Sequence, residues 1–380
     1  MSSASLLDNL KTGRDTFRDA TRAGNLDVLK SLLGPAWRGF VKHVAKGHEA
    51  TSVDSRYDVV FDWTYERNRP DLSKLYTQAK EGQWDGATVL DWKADLTPRP
   101  EANWLLPDEW VGFKDLRPWQ IATPAERMKM KHGYVAWMMS QFLHGEQGAL
   151  FAAAQVTTAI RWMDGKLYGS TQVVDEGRHV EVFHRYLSTK LEKKYEINDN
   201  LYVIIDALMT DSRWDIKFLG MQIMIEGLAL GAFGYLRSRT SEPLLKEMLR
   251  YVITDEARHV HYGVLSLQER YTRELTEREL RERQDWAFEM SLLLRNRFLL
   301  QEYYEEFYAH HMGWKAWCDF ILNCGEMQVF QQRLFKRIVP NLKRINLLPD
   351  RLRPHYDAIG LLKYENEPAA PELTAADLLD

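Results

Sequence analysis

One six-residue motif occurs twice in this chain, 80 residues apart. Residues 175–180 read Asp-Glu-Gly-Arg-His-Val, and residues 255–260 read Asp-Glu-Ala-Arg-His-Val. A lone glutamate lies 30 residues before the glutamate of each copy, Glu146 before Glu176 and Glu226 before Glu256. Because residues i and i+3 share one face of an α-helix, each Glu-x-x-His pair can point at one metal ion. The pattern therefore requires a fold that brings two similar helical units together.

Both lone glutamates interrupt apolar helical stripes. The same-face neighbours of Glu146 include Phe142, Leu143, Ala149 and Leu150, and those of Glu226 include Leu219, Ile223, Leu230 and Phe233. A carboxylate on such a stripe is costly to bury without a partner. A metal cation opposite each glutamate removes that penalty.

The 30-residue interval predicts where each unit turns. If the two glutamates of a pair lie at equal depth on antiparallel helices, the turns fall near residue 161, just before Asp164 and Gly165, and near residue 241, beside Pro243. Both positions carry helix-breaking residues. We therefore expect two helical hairpins that pack as a four-helix bundle with the ligands at its centre.

The charges of the six side chains match two divalent metal ions. Four carboxylates and two neutral imidazoles carry four negative charges, which two divalent cations cancel. Oxygen-rich ligation with two imidazoles suits iron or manganese, whereas structural zinc favours sites that contain thiolates. A single Glu-x-x-His pair is common and carries little weight, but two matched copies with matched upstream glutamates favour a dinuclear site.

At these residues the chain resembles the ferritin-like di-iron carboxylate superfamily, in particular the branch of ribonucleotide reductase small subunits and bacterial multicomponent monooxygenases. The resemblance covers about residues 120–310. It implies an all-α fold, a ferritin-like four-helix bundle with additional N-terminal and C-terminal helices. It also implies two ligand sets: Glu146, Glu176 and His179 for one iron ion, and Glu226, Glu256 and His259 for the other.

The resemblance further implies four supporting residues, Asp175, Arg178, Asp255 and Arg258. The aspartate of each motif would hydrogen-bond the histidine of the other hairpin, and the two arginines would hold the aspartates in place. Such contacts fix the tautomer and the basicity of a ligand histidine. For the arginines, a surface charge pair stays open as an alternative.

Three departures prevent assignment to one subfamily. Phe183 occupies the place of the radical-forming tyrosine of ribonucleotide reductase small subunits. Val252 replaces the additional histidine ligand of arylamine N-oxygenases, and Leu230 replaces a threonine of soluble monooxygenases.

The function expected from this resemblance is that of an oxygen-activating non-haem di-iron oxygenase or oxidase acting on a small or medium organic substrate. The cofactor would be two iron ions, or one manganese and one iron, with dioxygen as co-substrate and a ferredoxin or reductase as electron donor. No catalytic residue beyond the metal ligands is predicted. The candidate pocket walls are Ala149, Leu150, Phe183, Leu230 and Phe233. The alternatives are a protein like the reductase small subunit, a ligand-binding oxidase, or a ferroxidase that handles iron.

Composition narrows the partners and the compartment. A net charge of −4 and a pI near 6.3 argue against nucleic acid as a partner. No charge-free run is long enough to cross a bilayer, and residues Met1 to Asp15 lack the apolar segment of a secretory signal. The two cysteines, Cys318 and Cys324, suggest a reducing compartment. We therefore expect a cytoplasmic protein without membrane contact, and a homodimer is compatible with the sequence.

The expected layout has four parts. Residues 1–120 would form N-terminal helices and a long proline-containing loop, both packed on the bundle of residues 121–310. Residues 311–346 would form C-terminal helices, and residues 347–380 a mobile acidic tail. Thr123 and Glu126, and likewise Thr276 and Glu279, have the spacing of capping boxes that begin helices.

Overall fold

The structure, a computed structural model, describes residues 24–95, 104–373 and Asp377. Every regular element in these residues is a helix, so the predicted all-α fold class is confirmed. Three sets of residues used in the sequence predictions lie outside the described part: Met1 to Asp15, Pro98 with Pro100, and most of the last seven residues.

Sixteen α-helices occur in the described residues. In chain order they are α1 Leu26–Ala36, α2 Pro70–Glu81, α3 Gly86–Val89, α4 Arg117–Ile121, α5 Pro124–Ala159, α6 Met163–Tyr186, α7 Asp199–Thr210, α8 Trp214–Phe218, α9 Glu226–Arg239, α10 Pro243–Glu269, α11 Glu277–Asn296, α12 Gln301–Phe307, α13 Trp314–Asn323, α14 Gly325–Phe335, α15 Val339–Arg344 and α16 Arg353–Ala358. Short π-helical segments are Trp37–Val41, Leu187–Leu191, Leu219–Ile225 and Arg270–Glu274. Short 3₁₀ segments are Asp108–Trp110, Arg297–Leu299, Leu362–Tyr364 and Ala370–Glu372.

The two predicted hairpins are α5 with α6 and α9 with α10. The helix α5 begins at a complete capping box, in which Thr123 accepts from the Glu126 N–H and the Glu126 carboxylate accepts from the Thr123 N–H. The first hairpin turns at residues 160–162 and the second at residues 240–242, where Glu242 caps α10 through its carboxylate. Both turns therefore fall where the glutamate spacing predicts them.

A π-helical segment joins α8 to α9 directly before Glu226. Residues Leu219–Ile225 are wound more widely than an α-helix, so the α-helical spacing assumed upstream of Glu226 does not hold there. Insertions of this kind occur often at functional sites. Here the segment sets the direction from which Glu226 enters the bundle.

Outside the hairpins, long stretches are not helical. Of the expected N-terminal helices, α1 and α2 are present, but residues 42–69 contain no regular helix. In the expected proline-containing loop, the described residues 86–95 and 104–120 contain only short helices.

The expected mobile tail is wrong for residues 347–373. Leu347, Leu352 and Tyr356 are buried in the main core, and the Asn341 side chain accepts a hydrogen bond of 2.8 Å from the Ala370 N–H. The prediction read proline and acidic content as a sign of mobility. The apolar residues between them pack on helices elsewhere in the chain; the Tyr356 ring, for example, lies 5.2 Å from that of Phe288 in α11.

One continuous helical stretch in the described residues, Trp214–Arg239, is long and apolar enough to meet the length and composition test for a membrane span. Its most apolar window is 94% buried inside the protein. The burial is that of a core helix, and the same stretch carries Glu226.

Gly231 provides a test of how closely the C-terminal helices pack on this bundle. A Cβ at Gly231 would lie 2.3 Å from the Arg333 carbonyl oxygen and 2.7 Å from the Leu334 Cα, both backbone atoms of α14. We expect Gly231→Ala to lower the free energy of unfolding by about 1–3 kcal/mol because α14 must shift. Urea unfolding measures this change.

Gly177→Ala is the matched control. A Cβ at Gly177 meets nothing within 4 Å, so alanine there should stabilise α6 by up to about 1 kcal/mol. If the two variants had equal stability, the close packing of α14 on α9 would be contradicted.

Candidate metal centre

All six predicted ligand side chains converge at the centre of the bundle. Their ligand atoms form two overlapping groups, each with atoms within 4.8 Å of one another. One group contains Glu146, Glu176, His179 and Glu256, and the other contains Glu176, Glu226, Glu256 and His259. All six residues are at most 4% exposed.

The overlap of the two groups refines the expected division of ligands. The resemblance implied that Glu176 would belong to one metal ion and Glu256 to the other. In the structure both carboxylates are members of both groups, whereas Glu146 and Glu226 each belong to one group only. Glu176 and Glu256 would therefore help to hold both metal ions.

The two histidine rings are oriented in the same way. The Nδ1 atom of His179 faces the carboxylates, 3.2 Å from Glu146 Oε2 and 3.1 Å from Glu256 Oε1. The Nδ1 atom of His259 lies 3.1 Å from Glu176 Oε1. The Nε2 atoms point outward, where His179 lies 3.1 Å from Asp255 and His259 lies 3.3 Å from Asp175. An aspartate that accepts from Nε2–H leaves Nδ1 free to bind a metal ion.

The supporting arginines are buried inside this network. Arg178 donates to Asp175 in its own helix and, at 3.1 Å, to Asp255 of the other hairpin. Arg258 donates to Asp255 and lies 3.6 Å from Asp175. With 8% and 12% of their side chains exposed, they are not the surface charge pairs of the alternative reading.

Three further polar residues complete the network. Trp84 donates from its indole N–H to Asp255 at 2.8 Å, and Gln83 contacts both Asp175 and Arg178. Gln172 donates to Glu226 at 2.9 Å and to Glu176 at 3.2 Å. Gln172 lies one turn before Glu176 on the same helix face, so this spacing could have identified it as a site residue from the sequence. Gln83 is 92 positions from Asp175 and Trp84 is 171 positions from Asp255, and no local pattern connects these two residues to the site.

The carboxylates have lone pairs that the protein leaves unused. Glu176 Oε2, Glu226 Oε2 and Glu256 Oε1 are buried and accept no hydrogen bond. An imidazole nitrogen lies within 3.6 Å of each, but not in the direction that a hydrogen bond needs. Unpaired buried oxygens of this kind are costly. Their position between the histidine nitrogens fits a pair of cations.

Without metal ions, the cluster holds protons. Burial raises the pKa of Glu146 well above its ordinary value, and the neighbouring Glu256 raises it further. Burial and Glu176 do the same for the pKa of Glu226. Burial opposes the charged form of both histidines, but the carboxylates around them dominate and raise the pKa of His179 and of His259. In the metal-free cluster these four groups therefore bind protons more strongly than the same groups in the unfolded chain, and divalent cations would take the place of such protons.

A small cavity of about 20 Å³ lies beside the cluster, and Glu146 and Glu226 form part of its wall. Of the five predicted pocket residues, Ala149 and Phe233 line it, whereas Leu150, Phe183 and Leu230 do not. Leu150 follows Ala149 by one residue and is turned about 100° away on the helix. Phe183 packs behind the wall, with its ring 5.6 Å from that of Phe233, and Leu230 is buried outside the wall.

The bundle and its duplicated set of carboxylates and imidazoles resemble those of ferritin-like di-metal carboxylate proteins. The resemblance lies in the site itself: two helical hairpins supply equivalent candidate ligands, and each hairpin orients the histidine of the other.

Among known proteins, no family model and no curated sequence matches this chain. Solved structures of the R2-like ligand-binding oxidase do match. One variant with an anaerobically reconstituted Mn/Fe cofactor is 19% identical, with a TM-score of 0.46 over 71% of this chain and 94% of that chain. A second such variant is 18% identical, with a TM-score of 0.46 over 76% and 98%. Likeness at this level says nothing about the metal or the reaction of this protein.

The protonation of the metal-free cluster predicts opposite pH dependences for folding and for metal binding. Groups with a raised pKa in the folded state hold protons that the unfolded chain has released. The stability of the metal-free protein should therefore fall as pH rises above about 5, towards the raised pKa values of the folded state. Affinity for divalent metal should rise in the same direction because protons must leave these groups when metal binds.

Urea unfolding of the metal-free protein and calorimetric titration in buffers of different ionisation enthalpy measure the two effects. Glu226→Gln removes one of the four groups, so this variant should show a shallower pH slope of stability and release fewer protons. A flat stability profile for the unaltered protein would contradict the protonated cluster.

The contact between Asp255 and His179 predicts a loss of metal affinity when it is weakened. Asp255→Asn keeps the shape but removes the charge that orients the ring and raises its basicity, so affinity should fall by about 10–100-fold. Competition with a chromophoric chelator measures it. Asp285→Asn is the control, because Asp285 is equally buried and paired with Arg351 but lies outside the cluster. It should change stability and leave metal affinity unaltered.

Proposed function

We propose that this protein is an oxygen-activating non-haem di-iron oxygenase or oxidase that acts on a small or medium organic substrate. The observation that carries the proposal is the position of the cavity: it reaches Glu146 and Glu226, the two end carboxylates of the ligand cluster. A small molecule in the cavity would therefore lie against both metal positions. A metal pair with a purely structural role has no need of such an opening.

The donor set supports the choice of metal. Four carboxylates and two imidazoles favour iron or manganese over softer ions, so the pair would be two iron ions, or one manganese and one iron. Such a pair, when bound and reduced, supplies two electrons to dioxygen.

The chain's own residues hold, orient and shield the site. Glu176 and Glu256, which belong to both groups of ligand atoms, would help to hold both ions. Asp175 and Asp255 keep the histidine Nδ1 atoms directed inward, and Gln172 orients Glu226 and Glu176. The apolar cavity wall, which includes Phe142 and Phe233, limits access of water to the ions.

The proposal also includes an electron donor and a cellular compartment. Repeated turnover requires a source of electrons, so a ferredoxin or a reductase is proposed as the donor. The reducing conditions of the cytoplasm suit both this chemistry and the two free cysteines.

One observation favours a second candidate, a protein in which oxidation of the metal pair serves radical chemistry. Tyr168 is fully buried, and its hydroxyl has no hydrogen-bond partner. Its ring lies 4.5 Å from that of Tyr262, and His259 influences its pKa electrostatically. Tyr168 could form a stable tyrosyl radical, whereas Phe183, which has no hydroxyl group, could not.

Anaerobic loading with ferrous iron, followed by rapid mixing with oxygen, tests the proposal. We expect two iron ions per chain by metal analysis and Mössbauer spectroscopy, and oxygen consumption that rises when a substrate is present. Glu256→Ala should bind fewer than two ions because it removes a carboxylate shared by both positions. Glu302→Gln, which alters a carboxylate bonded to Trp137 and Asn198, should bind both.

The other outcomes separate the candidates. A long-lived radical signal that disappears in Tyr168→Phe would favour the radical protein. Fast oxygen consumption that depends only on added iron, with ferric mineral as product, would favour a ferroxidase. Failure of the unaltered protein to bind two ions would overturn the proposal altogether.

A further inference from the structure

Arg297 forms one wall of the cavity beside the metal cluster. It lies in the 3₁₀ segment that follows α11, and only 3% of it is exposed. Opposite it are apolar residues of α5 and of the stretch that carries Glu226, among them Phe142, Ile225 and Phe233. The cavity thus has one cationic wall among apolar walls, and it opens towards the metal cluster.

The Arg297 guanidinium has no anionic partner in the described part of the chain. No carboxylate oxygen of these residues lies within 4 Å of the guanidinium. The Nε atom of Arg297 is buried and makes no hydrogen bond. The ring of Phe298 lies beside the guanidinium, with its centroid 4.8 Å from Cζ of Arg297. Other buried arginines are paired: Arg283, also 3% exposed, donates to Asp215 at 2.9 Å. A buried cation without a counter-ion is unfavourable, so an arginine left in this state points to a missing anion.

Charge counting shows that the metal cluster does not supply this anion. Burial lowers the pKa of Arg297 to about 10, against the opposing effect of the Glu146 carboxylate, so the group stays charged at neutral pH. Two divalent cations would neutralise the four ligand carboxylates, and Arg178 with Arg258 balances Asp175 with Asp255. Arg297 then remains as one uncompensated positive charge.

Space for an anion exists where Gly145 faces the cavity. Gly145 is buried, lines the cavity, and a Cβ built on it would meet nothing within 4 Å. About 20 Å³ of space is enough for a group the size of a water molecule. A larger body needs wall side chains to move, and Met221 in the wall is of the flexible type that adapts its shape.

We infer that Arg297 recognises the carboxylate of the substrate, and that the substrate is a short monocarboxylic acid whose apolar body lies between the cavity walls. This inference rests on the proposed function, because it takes the cavity to be the substrate site. Arg297 is a binding residue that sets specificity. Its charge-assisted hydrogen bonds to the carboxylate would hold the acid while the apolar body reaches towards Glu146 and Glu226.

Binding of butyrate and of butan-1-ol, measured by ligand-observed NMR on the full chain, tests the inference. The two molecules have similar apolar bodies, but only butyrate carries a charge. We expect butyrate to bind at least about ten-fold more tightly than the alcohol, with or without metal, because one charged hydrogen-bonded pair is gained. Equal affinities would overturn the inference.

Arg297→Met should abolish this preference and leave the weak binding of butan-1-ol unaltered. It should also keep or raise the unfolding midpoint, because an unpaired buried charge is removed. Arg297→Lys should restore part of the preference, and the control Arg295→Gln, two residues away, should retain all of it. A large loss of stability in Arg297→Met with an unchanged preference for butyrate would show a structural role and contradict the inference.

Gly145→Val supplies a second test that does not depend on the arginine. Its side chain would fill the cavity, so butyrate and butan-1-ol should both bind more weakly. Unchanged binding of butyrate in this variant would mean that the acid binds elsewhere, which overturns the inference.

Metal binding separates this inference from the proposed function. Ferrous loading and oxygen consumption without added acid are measured on the same Arg297 variants. If two ions bind but butyrate shows no dependence on Arg297, the inference fails and the proposed function stands. If two ions do not bind but the preference for butyrate depends on Arg297, the proposed function fails and the anion site remains.

Discussion

The burial of four carboxylates in one helix bundle is the constraint on which the rest of this structure depends. Glu146, Glu176, Glu226 and Glu256 are almost fully removed from water, and ionised groups in such surroundings must be neutralised. Two imidazoles, two aspartates and two arginines are arranged around them. The helices that supply these groups have little freedom to shift, because any displacement would leave a buried charge without its partner.

The two hairpins are interdependent at this site. Asp255 of the second hairpin bonds His179 of the first, Asp175 of the first bonds His259 of the second, and Arg178 reaches across to Asp255. Neither hairpin can place its own histidine without the other. The segment after α2 adds a third contribution, because Trp84 and Gln83 hold the aspartates from outside. The N-terminal region is thus part of the support of the site.

The features predicted well from the sequence are those that a local pattern encodes. The i, i+3 spacing placed Glu176 and His179 on one helix face, and the equal intervals placed the two turns at residues 160–162 and 240–242. The features that the sequence did not predict depend on distant contacts or on backbone irregularity. The π-helical segment before Glu226 has no spacing signal of its own, although its residues Met221 and Ile225 line the cavity. Trp84 and Arg297 reach the site through tertiary packing alone, and the packing of residues 347–373 depends on partners elsewhere in the chain.

The raised pKa values of Glu146, Glu226, His179 and His259 favour protons in the metal-free cluster, and metal cations would take their place. Exchange of one positive charge for another limits the change in electrostatics that metal binding imposes on the bundle interior. Local changes are still required, because the unpaired oxygens of Glu176, Glu226 and Glu256 gain partners only when cations arrive. The Glu146 carboxylate acts on Arg297 electrostatically, but no carboxylate oxygen in the described residues lies within 4 Å of the guanidinium. An anion that enters from outside would give this buried cation the hydrogen-bonded partner that these residues do not supply.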